Sequence, residues 1–99
     1  MKVVAFNGSA RKDGNTAILV ESVLSELKKE KIRTEMIQLS GKKIRGCTAC
    51  GMCFKNQDKH CVIKNDILND CIDKMLDADG IILASPTYFT DVSTEMKAL

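Results

Sequence analysis

Asn7-Gly8-Ser9-Ala10-Arg11-Lys12-Asp13-Gly14-Asn15-Thr16 follows a short apolar run, Val3-Val4-Ala5-Phe6, and precedes an amphipathic segment starting near Thr16. The order reads strand, loop, helix. A loop so placed directs free N–H groups and the positive end of a helix dipole at one spot, which favours an anion. Gly8 and Gly14 are expected to let the backbone turn sharply and approach a ligand. Ser9, Asn15 and Thr16 add side-chain donors, and Arg11 and Lys12 add positive charge at the rim. Against the pattern G-x-x-x-x-G-K-[ST], the loop keeps Gly14 and Thr16 but has Ser9 for the first glycine and Asn15 for the lysine. That lysine reaches the terminal phosphates of a triphosphate, so its absence argues against an NTPase. No G-x-G-x-x-G is present, which removes the dinucleotide fingerprint. A single phosphate, as in a mononucleotide, fits better. A polar strand-to-helix turn without a ligand is the other reading.

The second chemical stretch is Cys47-x2-Cys50-x2-Cys53-x7-Cys61. Three thiols within seven residues are not a scatter of core cysteines. Gly46 and Gly51 allow the chain to wrap them round one centre. Zinc sites usually take two separate ligand pairs. Three tight thiols plus a remote fourth is iron–sulfur spacing. The ferredoxin run C-x2-C-x2-C-x3-C-P shares the first three, and its fourth comes sooner and is followed by proline. Iron–sulfur, zinc and free thiols all stay open. Ala49, Met52 and Phe54 are placed to shield a cluster. His60, beside Cys61, is read as a solvated loop residue. No histidine, serine or carboxylate dyad for acid–base catalysis is apparent.

The third stretch is Ser85-Pro86-Thr87-Tyr88-Phe89-Thr90, a loop holding the only proline. Pro86 sets the direction of the chain out of the apolar run Ile81–Ala84, so Tyr88 and Phe89 are expected over the end of that strand. They either lie against a planar ligand or plug the helix ends.

The elements that must hold these stretches follow from periodicity. Residues 2–6 read as a central parallel strand, apolar on both faces. Residues 15–30 read as a helix with Ala17, Val20, Val23, Leu24 and Leu27 on its buried stripe. Residues 32–39 read as an edge strand of mixed polarity. Residues 40–64 carry the cysteines and little regular structure. Asn65 or Asp66 is expected to cap a second helix whose stripe is Leu68, Cys71, Ile72 and Met75, which makes Cys71 core rather than ligand. Gly80–Ser85 reads as the third strand, and a helix is expected from about Asp91. The order predicts an α/β fold with a parallel sheet and right-handed crossovers. With the third strand beside the first, the phosphate loop and the Pro86 loop flank one topological switch point.

The chain has 99 residues, 44% hydrophobic and 28% charged, so it is at most one domain. Its net charge of +2 and few aromatics argue against nucleic acid. No segment approaches the roughly 20 apolar residues of a membrane span. No signal peptide precedes the first strand, so a cytoplasmic chain is expected. Five cysteines without such a signal point to metal or redox chemistry rather than disulfides.

Together, Gly8–Thr16, the four-cysteine run and Ser85–Phe89 resemble the iron–sulfur flavoproteins, within the flavodoxin-like NAD(P)H-dependent FMN reductases. The resemblance covers nearly the whole chain in order. It implies a flavodoxin-like, three-layer open sheet of which strands 2-1-3 are present, a single unit over 1–99 with a cysteine-rich loop at 41–64. It implies FMN, with Ser9, Arg11, Asn15 and Thr16 at the phosphate and Pro86, Thr87, Tyr88 and Phe89 at the ribityl chain and ring. It implies Cys47, Cys50, Cys53 and Cys61 as ligands of a four-iron, four-sulfur cluster. The implied activity is electron transfer between cluster and flavin in a dimer or tetramer, with NAD(P)H or a small redox protein as partner. A cluster-free FMN or quinone reductase and a zinc-stabilised interaction module are the alternatives. Family members run on through two more strands, so the third strand is expected to be an apolar edge and helix faces to be uncovered.

Overall fold

The computed structural model describes residues 1–99. Its centre is β1 (Lys2–Asn7), which is hydrogen-bonded on both sides. β2 (Arg33–Gln38) runs parallel to it from Lys2↔Arg33 to Asn7↔Gln38. β3 (Gly80–Ala84) runs parallel on the other side from Val3↔Gly80 to Asn7↔Ala84. The sheet is therefore β2-β1-β3, the flavodoxin-like order, with all three carboxyl ends level.

Successive residues of β1 point to opposite faces, and the core divides accordingly. On one face Val4 and Phe6 pack with Leu39 and with Cys71 of α3 (Leu68–Asp77). On the other, Ala5 packs with Val20 and Leu24 of α1 (Asn15–Lys29). Cys71 is core, as its helical position requires. Val23 corrects the expected stripe of α1: it is 48% exposed. The sheet touches the line Ala17–Val20–Leu24, and Val23 falls to one side of it beside the uncovered Leu19, with the uncovered Ile18 on the other flank.

Two helix starts differ from expectation. α3 begins at Leu68 rather than directly after Asp66. Asp66 still caps it from one position outside: Oδ1 accepts Leu68 N–H at 3.0 Å and Oδ2 accepts Arg45 N–H at 3.2 Å. The last helix, α4 (Thr94–Ala98), starts later than Asp91 because Asp91 pairs with Tyr88 in a small antiparallel bridge. Ser93 then caps α4, its Oγ accepting Met96 N–H at 3.2 Å.

The cysteine region is less irregular than expected, with a short helix α2 (Met52–Asn56) inside it. Gly51, at φ 74°, and Gln57, at φ 49°, bound that helix in left-handed conformations. β3 presents the expected apolar edge. Its Ile81 and Leu83 share a face with Val4 and Phe6 by register, yet they are 47% and 61% exposed. No helix is long and apolar enough to cross a membrane.

Candidate functional site

The anion loop leaves β1 at Asn7 and enters α1 at Asn15. Its first peptide is tied to the neighbouring strand, Gly8 N–H donating to Ala84 O at 2.7 Å. Ser9 is buried, its N–H donating to Asn7 Oδ1 at 3.0 Å, and its Oγ accepts Arg11 N–H at 3.1 Å. Gly14 occupies the N-cap of α1 and supplies no side chain. The N–H groups of Asn15, Thr16 and Ala17 lie in the first turn, where no intrahelical acceptor exists. Thr16 is half-buried beside them, while Arg11 and Asn15 are exposed. The structure thus brings Ser9, Arg11, Asn15 and Thr16 onto one turn of chain at the helix N-terminus.

The expected role of the glycines needs correction. Gly14 is extended, with φ −86°, and Gly8 has no left-handed backbone either. Gly8 is needed for packing: a Cβ there would stand 2.8 Å from Ser93 Oγ and 3.1 Å from Met96 Cβ. At Gly14 a Cβ would meet the Arg11 stem at 3.1 Å.

The Pro86 loop leaves β3 beside this turn. Ser93 N–H donates to Ser85 Oγ at 2.8 Å, which closes the loop at its base. Tyr88 and Asp91 exchange backbone hydrogen bonds at 2.9 and 3.1 Å. Between them Phe89 and Thr90 sit at φ 48° and 61°. Two successive left-handed residues make a hairpin turn that usually calls for Asn or Gly. A bulky aromatic there is strained, and such strain collects at binding sites. Phe89 is fully exposed at the tip, so it does not plug the helix ends. Tyr88 and Thr87 are also exposed, and Pro86 is half-buried.

The thiols are arranged differently. Cys47, Cys50 and Cys53 are exposed and Cys61 is half-buried. All four line one cleft of about 320 Å³ with Leu68 and Ile72 of α3. No three His, Cys, Asp or Glu side chains come close enough together to hold a metal ion. Two sulfurs already accept N–H groups two residues on, Cys47 Sγ from Ala49 at 3.3 Å and Cys61 Sγ from Ile63 at 3.4 Å. Such N–H···S bonds suit a thiolate and tune the potential of a sulfur-ligated centre. Cys61 is fixed to α3 at both backbone groups: its N–H donates to Asn69 Oδ1 at 2.7 Å, and its carbonyl accepts Asn69 Nδ2 at 2.9 Å. His60 is not merely solvated. Its ring nitrogens reach Asp58 O at 2.8 Å and Asp73 Oδ1 at 2.6 Å. The Asp58 carbonyl first, and then the Asp73 carboxylate, raise its pKa above the ordinary histidine value. Burial pushes the Cys71 thiol up, which keeps it protonated and suits a core residue.

The family model for NADPH-dependent FMN reductase matches residues 1–99. The chain belongs to that family. It is 42% identical over its whole length to an iron–sulfur flavoprotein of Methanocaldococcus jannaschii, covering 50% of that protein. It is 37% identical over 98 residues to one of Archaeoglobus fulgidus, covering 43% of it, and 35% identical over its whole length to one of Methanosarcina thermophila, covering 50%. The chain spans about half the length of the curated relatives it matches.

Within this FMN-reductase frame, two groups of residues escape a reading of the sequence alone. Asn7 and Gln38 brace the anion loop, Gln38 Nε2 donating to Ser9 O at 2.9 Å. Asn69 and Asp73 of α3 brace the cysteine segment. The only advance signal is positional: Asn7 and Gln38 each end a strand at the carboxyl edge of the sheet.

Proposed function

We propose that the chain is the phosphate-binding and thiol-bearing part of an FMN-dependent oxidoreductase that transfers electrons between an iron–sulfur cluster and FMN. The observation that carries the flavin part is the uncapped N-terminus of α1 beside the buried, hydrogen-bonded Ser9 turn. Three first-turn N–H groups, two hydroxyls and the Arg11 charge fit a single terminal phosphate. Ser9, Arg11, Asn15 and Thr16 would hold that phosphate. Pro86, Thr87, Tyr88 and Phe89 would flank the ribityl chain and ring, since their loop leaves the adjacent strand end. The isoalloxazine supplies the redox chemistry, and the protein supplies binding, orientation and exclusion of competing reactions.

The donor set for the second centre fits in kind: Cys47, Cys50, Cys53 and Cys61 are the thiols that iron–sulfur clusters take. They line one cleft without being gathered at one point. Metal binding commonly completes the folding of such a segment. The ungathered thiols favour, as a second reading, an NAD(P)H-dependent FMN or quinone reductase without a cluster. NAD(P)H or a small redox protein as partner, a dimer or tetramer, and a cytoplasmic setting belong to the same proposal. Anaerobic purification with counts of flavin, iron, acid-labile sulfide and zinc tests it. Flavin with equal amounts of iron and sulfide is expected. Flavin without iron selects the second reading, and zinc without flavin overturns both.

A further inference from the structure

Asn7, Gln38 and Ser9 form a closed ring of hydrogen bonds behind the anion loop. Asn7 Nδ2 donates to Gln38 Oε1 at 2.9 Å, Gln38 Nε2 donates to Ser9 O at 2.9 Å, and Ser9 N–H donates to Asn7 Oδ1 at 3.0 Å. Both backbone polar groups of Ser9 are thus held by side chains. The two side chains hold each other, because Asn7 and Gln38 are direct partners in the β1–β2 register. Asn7 is completely buried and Ser9 nearly so. A peptide in that setting does not find replacement partners in water.

Each side chain of the ring both donates and accepts, which a primary amide does and a carboxylate or an apolar group does not. An acid at either position also brings a negative charge beside a site for an anion.

We propose that Gln38 is a positioning residue for the FMN phosphate: acting through Asn7 and the Ser9 peptide, it holds the loop in its anion-accepting shape before the ligand arrives. Rigid placement lowers the ordering cost of binding. Gln38 itself is bound to Ser9 O and Asn7, so its contribution runs through the loop rather than through direct contact. The inference rests on the reading of Ser9–Thr16 as the phosphate site.

The test compares FMN with riboflavin, which has the same ring and no phosphate, in the wild-type protein, Gln38→Leu and Thr16→Ala. Gln38→Leu is expected to weaken FMN about tenfold, the factor that corresponds to 1.4 kcal/mol, while riboflavin changes less than about twofold. Inorganic phosphate should compete less well for the variant. A general structural role would instead weaken both flavins alike and lower the melting temperature of the ligand-free protein. That result overturns the inference, as does unchanged FMN affinity in Gln38→Leu when Thr16→Ala weakens FMN. If Thr16→Ala leaves FMN unchanged, the phosphate-site reading fails and the inference falls with it. Gln38→Met keeps the side-chain size without adding charge and is read by the same FMN-to-riboflavin ratio should Gln38→Leu not fold.

Discussion

The anion loop and the cysteine segment both hang from strand ends of one sheet, yet they are built in opposite ways. The loop from Asn7 to Thr16 is short, and its buried peptides are tied to β2 and β3. Its shape follows from the sheet. The cysteine segment is longer, and three of its four thiols face solvent. It is anchored at its far end, where Cys61 and His60 are tied to Asn69 and Asp73 of α3. Gly51 and Ala49, at φ 74° and 58°, already turn the chain between the first three thiols. A site whose ligand is a small anion can be assembled from backbone dipoles in advance. A site of four thiolates repels itself when charged and closes only round a cation or cluster.

The largest effects are expected at the thiols. Cys61→Ser should lower bound iron sharply or leave a labile centre, because Cys61 is the one proposed ligand whose backbone is already fixed on α3. Cys71→Ser should keep the iron, since Cys71 packs with Val4, Phe6 and Leu39 in the core. Iron and acid-labile sulfide per chain, after anaerobic reconstitution, decide between them. Loss of the cluster in Cys71→Ser with retention in Cys61→Ser would reverse the assignment of both residues. Neither variant should shift FMN affinity if the two sites are assembled as independently as their hydrogen bonding indicates.

The next effect belongs to the preformed loop. Ser9→Ala and Thr16→Ala should each weaken FMN by about 1–3 kcal/mol, the range for a hydrogen bond to a charged group. Flavin titration measures this directly. Iron content should stay level in the same samples. A parallel fall in iron would show that the two regions are coupled.

These contrasts also separate what the sequence made legible from what it hid. The central place of β1 was readable because Val3–Phe6 is apolar at every position, which only a strand covered on both faces tolerates. Cys71 was readable as core from its spacing to Leu68, Ile72 and Met75. The start of α1 was readable from the polar loop before it. By contrast, the Asn7–Gln38 pair joins residues 31 apart and the His60–Asp73 pair residues 13 apart, and no local periodicity reports such contacts. Phe89 was readable as a loop residue beyond β3 but not as a left-handed one, because propensity would place Gly or Asn there. Val23 was misplaced because the buried stripe of α1 is narrower than the apolar content of the helix, which leaves Ile18, Leu19 and Val23 uncovered together.

Phe89 gives a smaller effect with an informative sign. Its φ of 48° costs a side-chain-bearing residue about 1–2 kcal/mol, and glycine escapes that cost. The greater freedom of glycine in the unfolded chain returns roughly 0.5–1 kcal/mol of it. Phe89→Gly should therefore stabilise the protein by up to about 1 kcal/mol in chemical denaturation. The same change should alter flavin fluorescence and reduction potential, because the exposed aromatic tip is lost. Stability gained with the flavin untouched would mark the turn as strained for some purpose other than the flavin.

The smallest effect is a pH dependence at the contact between β2 and α3. Glu35 on β2 accepts from Lys74 of α3 at 3.1 Å and lies 3.6 Å from Lys2. The Lys74 hydrogen bond, with the charges of Lys74 and Lys2, holds the Glu35 carboxyl below its ordinary value. A carboxyl depressed on folding takes up protons first in the unfolded chain as pH falls. Its contribution is therefore complete above the unfolded carboxylate pKa of about 4.3 and disappears as pH drops through the lower folded value. The groups are partly solvated, so the contribution should stay below about 1 kcal/mol. The difference in unfolding stability between wild type and Glu35→Gln should be steady near neutral pH and shrink in acid. A difference that persists unchanged into strong acid would refute the ion-pair account.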